Sequence, residues 1–292
     1  MPNALIVGAP KCGTTSLADA LRGHSDVFIP YRKELSFFHA DDTYQRGFEW
    51  YQAFFDEASG EKVRLEATPD YFASEKARDR IATHIPNCKM IFVLRDPVAR
   101  AHSHYWARAR TGREVRSLAE VLRDELNAPM DEQGYMLRNG FFGAHLAGYM
   151  DVFDTSQLLV LRMEELAASP TETLARVQSF LEIAPELTAF PKSNVAVEAR
   201  SDAVQSAMQS VIKSQGFAKT ALRAVFPDRV RVRVRKAIRR LNSNPAAKPP
   251  LEAEDRELLE ETYASDIARL ETLLGTDLSA WRARSQTAGP DA

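Results

Sequence analysis

A glycine-bounded stretch near the start of the chain contains a lysine and is followed directly by three hydroxyl side chains. Gly8 and Gly13 have the G-x-x-x-x-G spacing of a phosphate-binding loop, with Lys11 between them, and Thr14–Ser16 follows. In a Walker A loop the second glycine is followed by lysine and then by a magnesium-binding serine or threonine, but here threonines occupy both places. The stretch predicts a phosphate site with an unusually placed lysine. The alternative is a strand-to-helix turn with a surface lysine.

A second set of phosphate-binding side chains follows the most apolar segment of the chain, Lys89–Leu94. Arg95 comes directly after this segment, and Ser103 follows eight residues later at a predicted helix start. Because arginine offers a charged fork and serine a hydroxyl, the pair is predicted to grip a phosphate. Asp96 is an alternative candidate for the acid of a Walker B strand, but Arg95 before it and Pro97 after it fit that motif poorly.

A carboxylate and an ammonium group follow another short apolar run. Val27–Pro30 is predicted to be a strand ended by proline, with Lys33 and Glu34 at its exit. Ligands collect at strand exits in open α/β sheets, so Glu34 is a candidate for acid–base chemistry beside the phosphate loop. The alternative is a solvated loop carboxylate, the usual state of glutamate.

Strands and helices that can position these groups alternate along the chain. Apolar runs predict buried strands at Ala4–Val7, Val27–Pro30, Lys89–Leu94 and Leu158–Arg162. Helical periodicity is found at Ser16–Leu21, Ala77–Ile85, Glu114–Leu126, Pro170–Leu181 and Glu254–Leu274. The order predicts an α/β fold, P-loop-like and three-layered, with a central, mostly parallel sheet flanked by helices.

The composition bounds the domain organisation. The chain has 292 residues, 45% of them hydrophobic, and a net charge of −2, which suffices for one large α/β domain. We predict a single domain over 1–284, with its core at 4–185, a helical C-terminal part at 200–284 and a disordered tail at 285–292.

Apolar runs and cysteine positions bear on the cellular compartment of the protein. No apolar run approaches the ~20 residues of a membrane span, and the first predicted strand begins so early that no signal peptide precedes it. The two cysteines, Cys12 in the phosphate loop and Cys88 before a strand, do not suggest a structural disulfide. These features predict a reduced, cytoplasmic protein, whose oligomeric state the sequence leaves open.

A basic segment stands out in the C-terminal part. Lys213–Lys248 has eleven Lys or Arg residues and one acid, Asp228. The apolar stripe within Val230–Leu241 predicts a helix with a basic face, which either attracts an anionic ligand or is simply solvated. A non-catalytic polyanion-binding protein is therefore one alternative function. The nearly neutral whole chain argues against nucleic acid as the partner.

Three of these stretches resemble sulfotransferases that use PAPS (3′-phosphoadenosine 5′-phosphosulfate). Pro10–Leu17, P-K-C-G-T-T-S-L, is similar to their 5′-phosphosulfate loop, and Arg95–Tyr105 matches every specified position of their 3′-phosphate motif R-D-P-x-x-R-x-x-S-x-Y. Lys33–Phe38 resembles the branch that contains the heparan sulfate sulfotransferase domains. Val63–Phe72 and Arg138–Leu146 resemble two further segments. The likeness is clear over residues 4–185.

The resemblance implies a role for each matched residue. Glu34 is implied to be the general base and Lys11 a catalytic cation. The implied contacts of PAPS, or of its product PAP, are Lys11, Cys12, Gly13, Thr14, Thr15 and Ser16 at the 5′-phosphate and Arg95, Ser103 and Arg200 at the 3′-phosphate. Residues considered for the acceptor are Lys33, Glu66, Thr68 and Arg138. No metal is expected to be required.

The predicted function is sulfuryl transfer from PAPS to a hydroxyl or amine of an acceptor. The branch resemblance favours a carbohydrate or glycosylated small molecule, followed by a natural product or lipid alcohol. Ala67 stands where the heparan branch commonly has lysine, which argues against a heparin-like acceptor. A P-loop nucleotide kinase is the other alternative function, distinguished by dependence on magnesium.

Overall fold

The computed structural model describes residues 1–129, 134–191 and 248–282, together with the backbone of 197–199 and 243–245. Within this part the chain forms two compact units. The first contains the described residues of 1–105, 116–191 and 251–282, and the second those of 106–115 and 197–250. The predicted single domain over 1–284 stays a prediction. The helix predicted around Val230–Leu241 and the tail at 285–292 lie outside the described residues.

The first unit is built on a parallel sheet of five strands. The strands are β1 (Ala4–Gly8), β2 (Val27–Phe28), β3 (Val63–Ala67), β4 (Lys89–Leu94) and β5 (Leu158–Arg162), in the order β2-β3-β1-β4-β5. All four strand pairs are parallel. The central strands β1 and β4 are almost entirely buried because helices cover the sheet, which explains their continuous apolar runs. The predicted α/β fold is confirmed.

Helices fill the connections between the strands. They are α1 (Thr14–Leu21), α2 (Asp41–Tyr44), α3 (Gly47–Gln52), α4 (Glu75–His84), α5 (Pro97–Ala109), α6 (Leu118–Asn127), α7 (Phe142–Met150), α8 (Met163–Ala168), α9 (Pro170–Phe180), α10 (Ala253–Leu274) and α11 (Ser279–Arg282). Among these, none has the combination of length and apolar character that crossing a membrane requires.

The strand order places the predicted site. The chain leaves β1 toward β3 and β2 on one side, whereas β4 and β5 lie on the other side of β1. Such a reversal opens a crevice at the carboxyl ends of the strands, where ligands bind in open α/β sheets. The loops after β1 and β4 carry the two predicted phosphate-binding motifs, and both leave the sheet at this crevice.

Two predicted elements differ from the structure, and one strand pair was not predicted. The strand predicted over Val27–Pro30 ends at Phe28, since Pro30 has no N–H to donate. The helix predicted over Glu114–Leu126 begins at Leu118, because the side chains of Ser117 and Glu120 form a capping box there. The second unit contains a strand, β7 (Ser243–Pro245), antiparallel to β6 (Val197–Ala199), and neither was predicted. That pairing joins distant segments, so local turn residues gave no sign of it.

The long helix α10 packs against α7 in the first unit. The carboxylate of Asp266 accepts hydrogen bonds from the N–H groups of Gly143 (2.7 Å) and Ala144 (2.8 Å), so a residue of α10 caps α7. A Cβ atom at Gly143 would lie 2.6 Å from the backbone oxygen of Asp266. The close approach of the two helices therefore requires glycine at this position.

Candidate active site

The loop after β1 and the start of α1 form an uncapped helix N-terminus. α1 begins at Thr14, two residues before the predicted start, with Gly13 as its N-cap at φ 93° and no side chain capping it. Lys11 also has a left-handed backbone, with φ 71°. Left-handed residues at alternate positions can turn backbone N–H groups toward one anion, and the helix dipole favours negative charge at the same place.

Cys12 lies beneath this loop. Its thiol is fully buried and donates to the carbonyl oxygen of Pro10 at 3.7 Å. Burial raises the pKa of the Cys12 thiol to about 12, and the charges of Arg95 and Lys11 oppose the rise. The side chain is therefore a neutral thiol at pH 7, and only the backbone of Cys12 can contribute to an anion site.

Lys33 joins the phosphate loop to Glu34. Its ammonium group donates a hydrogen bond to Oγ1 of Thr15, and its Nζ atom lies 3.6 Å from Oε1 of Glu34. The side chain of Lys33 is 21% exposed and that of Glu34 is 52% exposed. Burial lowers the pKa of Lys33, while the neighbouring Glu34 charge opposes this shift. The carboxylate predicted to be the base thus lies beside the phosphate loop and within reach of solvent.

The segment 33–38 bends sharply at the predicted base. Glu34 and Ser36 both have φ 59°, a left-handed conformation that costs a non-glycine residue about 1–2 kcal/mol. The N–H of Glu34 donates to the carbonyl oxygen of Ala67 at 3.2 Å, which ties the bend to the end of β3. The backbone of Glu34 is therefore held at the carboxyl end of β3.

Glu66 and Thr68 lie inside the protein behind this bend. They are 2% and 0% exposed, and Oγ1 of Thr68 donates to Oε1 of Glu66. The same oxygen of Thr68 accepts from the N–H of Ser36 at 3.2 Å. Their observed contacts are therefore with the loop and the core. Ala67 between them is also buried.

Arg95 directly follows β4, and α5 begins two residues later at Pro97. Oδ1 of Asp96 accepts from the N–H groups of Val98 (2.9 Å) and Ala99 (3.3 Å), so Asp96 is a buried helix cap and not a Walker B acid. Ser103 is the seventh residue of α5. The prediction that it stands at a helix start is wrong, because Pro97 is pre-organised for the first helical position.

The remaining predicted residues lie elsewhere. Arg138 precedes α7 and donates from Nη2 to the carbonyl oxygen of Ala73 at 2.7 Å, near the turn Pro69–Tyr71 that follows β3. Arg200 lies outside the described residues. Sequence reasoning missed Tyr51, whose hydroxyl donates to Glu66 at 3.3 Å. Only its place in an aromatic-rich segment pointed to it, and that pattern could not distinguish it from the other core aromatics.

These groups fit a ligand with two separate phosphates. The uncapped start of α1 and the ammonium groups of Lys11 and Lys33 suit one phosphate. Within the described part of the chain, neither the Arg95 guanidinium nor the Ser103 hydroxyl makes a hydrogen bond or ion pair. Both groups are partly exposed and are therefore able to bind the other phosphate.

Comparison with known proteins identifies the family to which most of the chain is similar. Residues 1–271 match the family model described as a sulfotransferase domain. The human heparan sulfate glucosamine 3-O-sulfotransferase 6 is 36% identical over 184 residues, which cover 62% of this chain and 52% of that protein. The mouse bifunctional heparan sulfate N-deacetylase/N-sulfotransferase 4 is 32% identical over 199 residues, covering 63% of this chain and 23% of that protein. The chain thus spans about half or less of the length of these curated relatives.

A solved structure is similar over nearly the whole chain. The crystal structure of a sulfotransferase from Alicyclobacillus acidocaldarius has a TM-score of 0.70 at 27% sequence identity, covering 97% of this chain and 99% of that one. The resemblance predicted from the phosphate loop, the Glu34 segment and the Arg95 segment is confirmed. The chain belongs to the sulfotransferase domain family, whose enzymes take a sulfuryl group from PAPS.

Proposed function

We propose that the protein transfers the sulfuryl group of PAPS in line to a hydroxyl or amine of a carbohydrate or glycosylated small molecule, with Glu34 as base. The observation that carries this proposal is the bridge through Lys33, which joins Thr15 of the phosphate loop to the Glu34 carboxylate. A base must lie within hydrogen-bonding reach of a nucleophile that is itself next to the transferred group. The bridge holds Glu34 close to where that group would lie.

In this proposal some side chains bind and position PAPS, and others accept a proton or stabilise developing charge. PAPS, when bound, supplies an activated sulfuryl group with phosphate as its leaving group. Glu34 accepts the proton of the acceptor as the new bond forms. Lys11 stabilises the negative charge that grows on the leaving phosphate oxygen. Thr14, Thr15 and Ser16 hold the 5′-phosphate, and Arg95 and Ser103 hold the 3′-phosphate, which separates PAPS from ATP.

Lys33 has two tasks in this proposal. Its ammonium group lies 3.6 Å from Oε1 of Glu34 and holds that carboxylate in an ion pair. Its bond to Thr15 fixes that carboxylate relative to α1. Positioning of this kind supplies much of the rate enhancement in group transfer, since a near-attack geometry replaces a bimolecular encounter.

The two alternative functions are less well supported. A P-loop kinase needs a lysine where this chain has Thr14 and an acid free to organise magnesium, whereas Asp96 is occupied in capping α5. Polyanion binding through the Arg-rich segment depends on residues outside the described part of the chain. Family membership favours the enzyme over both.

A carbohydrate acceptor is supported by the relatives, which are named as a heparan sulfate glucosamine 3-O-sulfotransferase and a heparan sulfate N-deacetylase/N-sulfotransferase. They do not distinguish O- from N-sulfation for this chain. The buried Ala67 offers no cation toward a polyanionic acceptor, so we propose a less charged glycan or glycoside. We also propose a reducing, cytoplasmic setting, because Cys12 and Cys88 are both buried free thiols.

Transfer itself is the direct test. The protein is incubated with PAPS labelled in its sulfuryl group and with an extract of carbohydrates and glycosides, and labelled products are identified by mass spectrometry. We expect a labelled ester or sulfamate together with stoichiometric PAP. Release of PAP without any labelled acceptor, or transfer only to non-glycosylated alcohols, would contradict the proposed acceptor class.

PAP should stabilise the protein without added metal. A ligand that binds only the folded state raises the free energy of unfolding by about 2.7 kcal/mol at 100 times its Kd. Thermal unfolding with PAP, PAPS or ATP, each with and without magnesium, measures this. We expect a large rise in Tm with PAP and PAPS and a much smaller one with ATP, since ATP has no 3′-phosphate for Arg95. A rise that requires both ATP and magnesium would instead indicate a kinase.

Arg95→Ala should weaken PAP and PAPS binding by about 10- to 150-fold, the equivalent of one lost charge-assisted contact of roughly 1.5–3 kcal/mol. The 3′-phosphate is remote from the transferred group, so turnover at saturating PAPS should change little. Calorimetry with PAP measures the affinity. Arg116→Ala is the matched control, because Arg116 pairs with Asp124 at 2.8 Å on the surface. Unchanged affinity in the Arg95 variant would remove this residue from the site.

A further inference from the structure

The bend that carries Glu34 needs support from the rest of the protein. Two non-glycine residues in left-handed conformations, Glu34 and Ser36, lie one residue apart. Such conformations persist only where surrounding contacts determine them, and they concentrate at functional sites. The contacts that hold the bend therefore also decide where the Glu34 carboxylate lies.

Two N–H groups of the bend are bound by the end of β3 and the residue after it. The N–H of Glu34 donates to the backbone oxygen of Ala67, and that of Ser36 donates to the hydroxyl of Thr68, both at 3.2 Å. The hydroxyl of Thr68 in turn donates to the carboxyl group of Glu66. Thr68 therefore links the bend to Glu66.

Glu66 is surrounded by donors from the core. Its carboxyl group accepts hydrogen bonds from the hydroxyls of Thr68 and Tyr51. Burial raises the pKa of Glu66, and the hydrogen bonds from these two hydroxyls oppose the rise. Buried polar networks of this kind are stable only when each member is satisfied. Removal of one hydroxyl would leave other buried groups without a partner.

The tyrosines fix the bend from its apolar side as well. Phe37 stacks on Tyr51 with ring centroids 4.3 Å apart, and Phe38 meets the edge of Tyr71 at 5.7 Å. The hydroxyl of Tyr71 also accepts from the N–H of Phe38 at 3.4 Å. One buried cluster thus binds the bend through its backbone and its aromatic side chains.

We infer that Glu66, acting through Thr68, is the positioning residue that holds the Glu34 bend in its left-handed geometry. This inference rests on the proposed role of Glu34 as base. In this assignment Glu66 and Thr68 contact neither the reacting atoms nor the acceptor. They contribute to catalysis only by positioning Glu34. A displacement of about 1 Å at a catalytic group can reduce the rate about 10²-fold.

Thr68→Val tests the inference. Valine keeps the shape of threonine but removes the hydroxyl, so Glu66 loses a donor and the N–H of Ser36 loses its acceptor. We expect kcat to fall about 10- to 100-fold, with KM for the acceptor and Kd for PAP nearly unchanged. Thr68→Ser, which retains the hydroxyl, should restore most of the turnover. Glu66→Gln should lower kcat in the same way.

A matched control separates positioning from general destabilisation. Thr173 is also buried, at 2% exposed, and its hydroxyl donates to backbone oxygens of Glu165 (3.1 Å) and Ser169 (2.9 Å) in the α8–α9 region. Thr173→Val should lower Tm without a change in kcat. A comparable loss of kcat in this control would overturn the inference, because buried hydroxyls in general would then account for the effect.

The double variant with Glu34→Gln gives the decisive comparison. If Thr68 acts only by placing the carboxylate of Glu34, then Thr68→Val should have no further effect on kcat once that carboxylate is gone. An equal loss in both backgrounds would overturn the inference and leave the base assignment intact. Near-normal turnover of the single Glu34→Gln variant would overturn the base assignment itself, and the positioning role with it.

Discussion

Replacing Glu34 by glutamine is expected to lower turnover about 10²–10⁴-fold, the usual contribution of a general base. Glutamine has nearly the same size and keeps hydrogen-bonding capacity, but it cannot accept the acceptor's proton. The Glu34 side chain is 52% exposed, so its loss should not unfold the protein. PAP affinity and Tm should therefore remain close to those of the unchanged protein. Steady-state transfer, calorimetry and thermal unfolding measure the three quantities.

Glu182 supplies a close control for this substitution. It also has a left-handed backbone, with φ 58°, and its exposed carboxylate lies 2.7 Å from Nζ of Lys89. Glu182→Gln thus removes the same kind of lysine-paired carboxylate far along the chain from the phosphate loop, and turnover should not change. If Glu34→Gln retains normal turnover, the next candidate base is Glu66 or His39, which lies five residues after Glu34 in the chain. If it loses PAP binding and stability together, Glu34 has a structural role.

The sequence predicted those parts of the site that are local in the chain. The phosphate loop, its lysine and the following helix lie within Gly8–Leu21, so residue spacing and glycine positions were sufficient. The apolar runs of β1 and β4 similarly identified the centre of the sheet. Family resemblance added the roles of Glu34 and Arg95, which their residue types alone left open.

Features that depend on tertiary contacts escaped prediction. The start of α5 is set by Asp96, which caps the helix, and by Pro97, its first residue. The interpretation of Asp96 as a candidate Walker B acid hid its role as a cap. Whether Glu66 faced an acceptor or the core could not be decided from its segment, because the answer depends on Tyr51, fifteen positions earlier in the chain. The pairing of β6 with β7 joins segments more than forty residues apart, and local patterns report nothing about such contacts.

Lys11→Met should lower kcat about 10²–10³-fold, the usual loss when one donor to a developing negative charge is removed. Methionine keeps a Cβ atom and a similar stem, so the strain of the left-handed backbone at φ 71° is unchanged and only the charge is lost. The charge on the leaving oxygen is small in PAPS, grows in the transition state and is complete in PAP. Affinity for PAPS should therefore change less than affinity for PAP.

The difference between PAPS and PAP is what distinguishes this role from simple anion attraction. Lys62→Ala is the control, since Lys62 is 64% exposed and pairs with Asp26 at 3.2 Å; it should alter neither kcat nor affinity. Equal weakening of PAPS and PAP binding with kcat preserved would mean that Lys11 binds substrate and transition state alike. Normal kcat and normal PAP affinity would assign the charge stabilisation to Lys33, whose ammonium already contacts Thr15 of the phosphate loop.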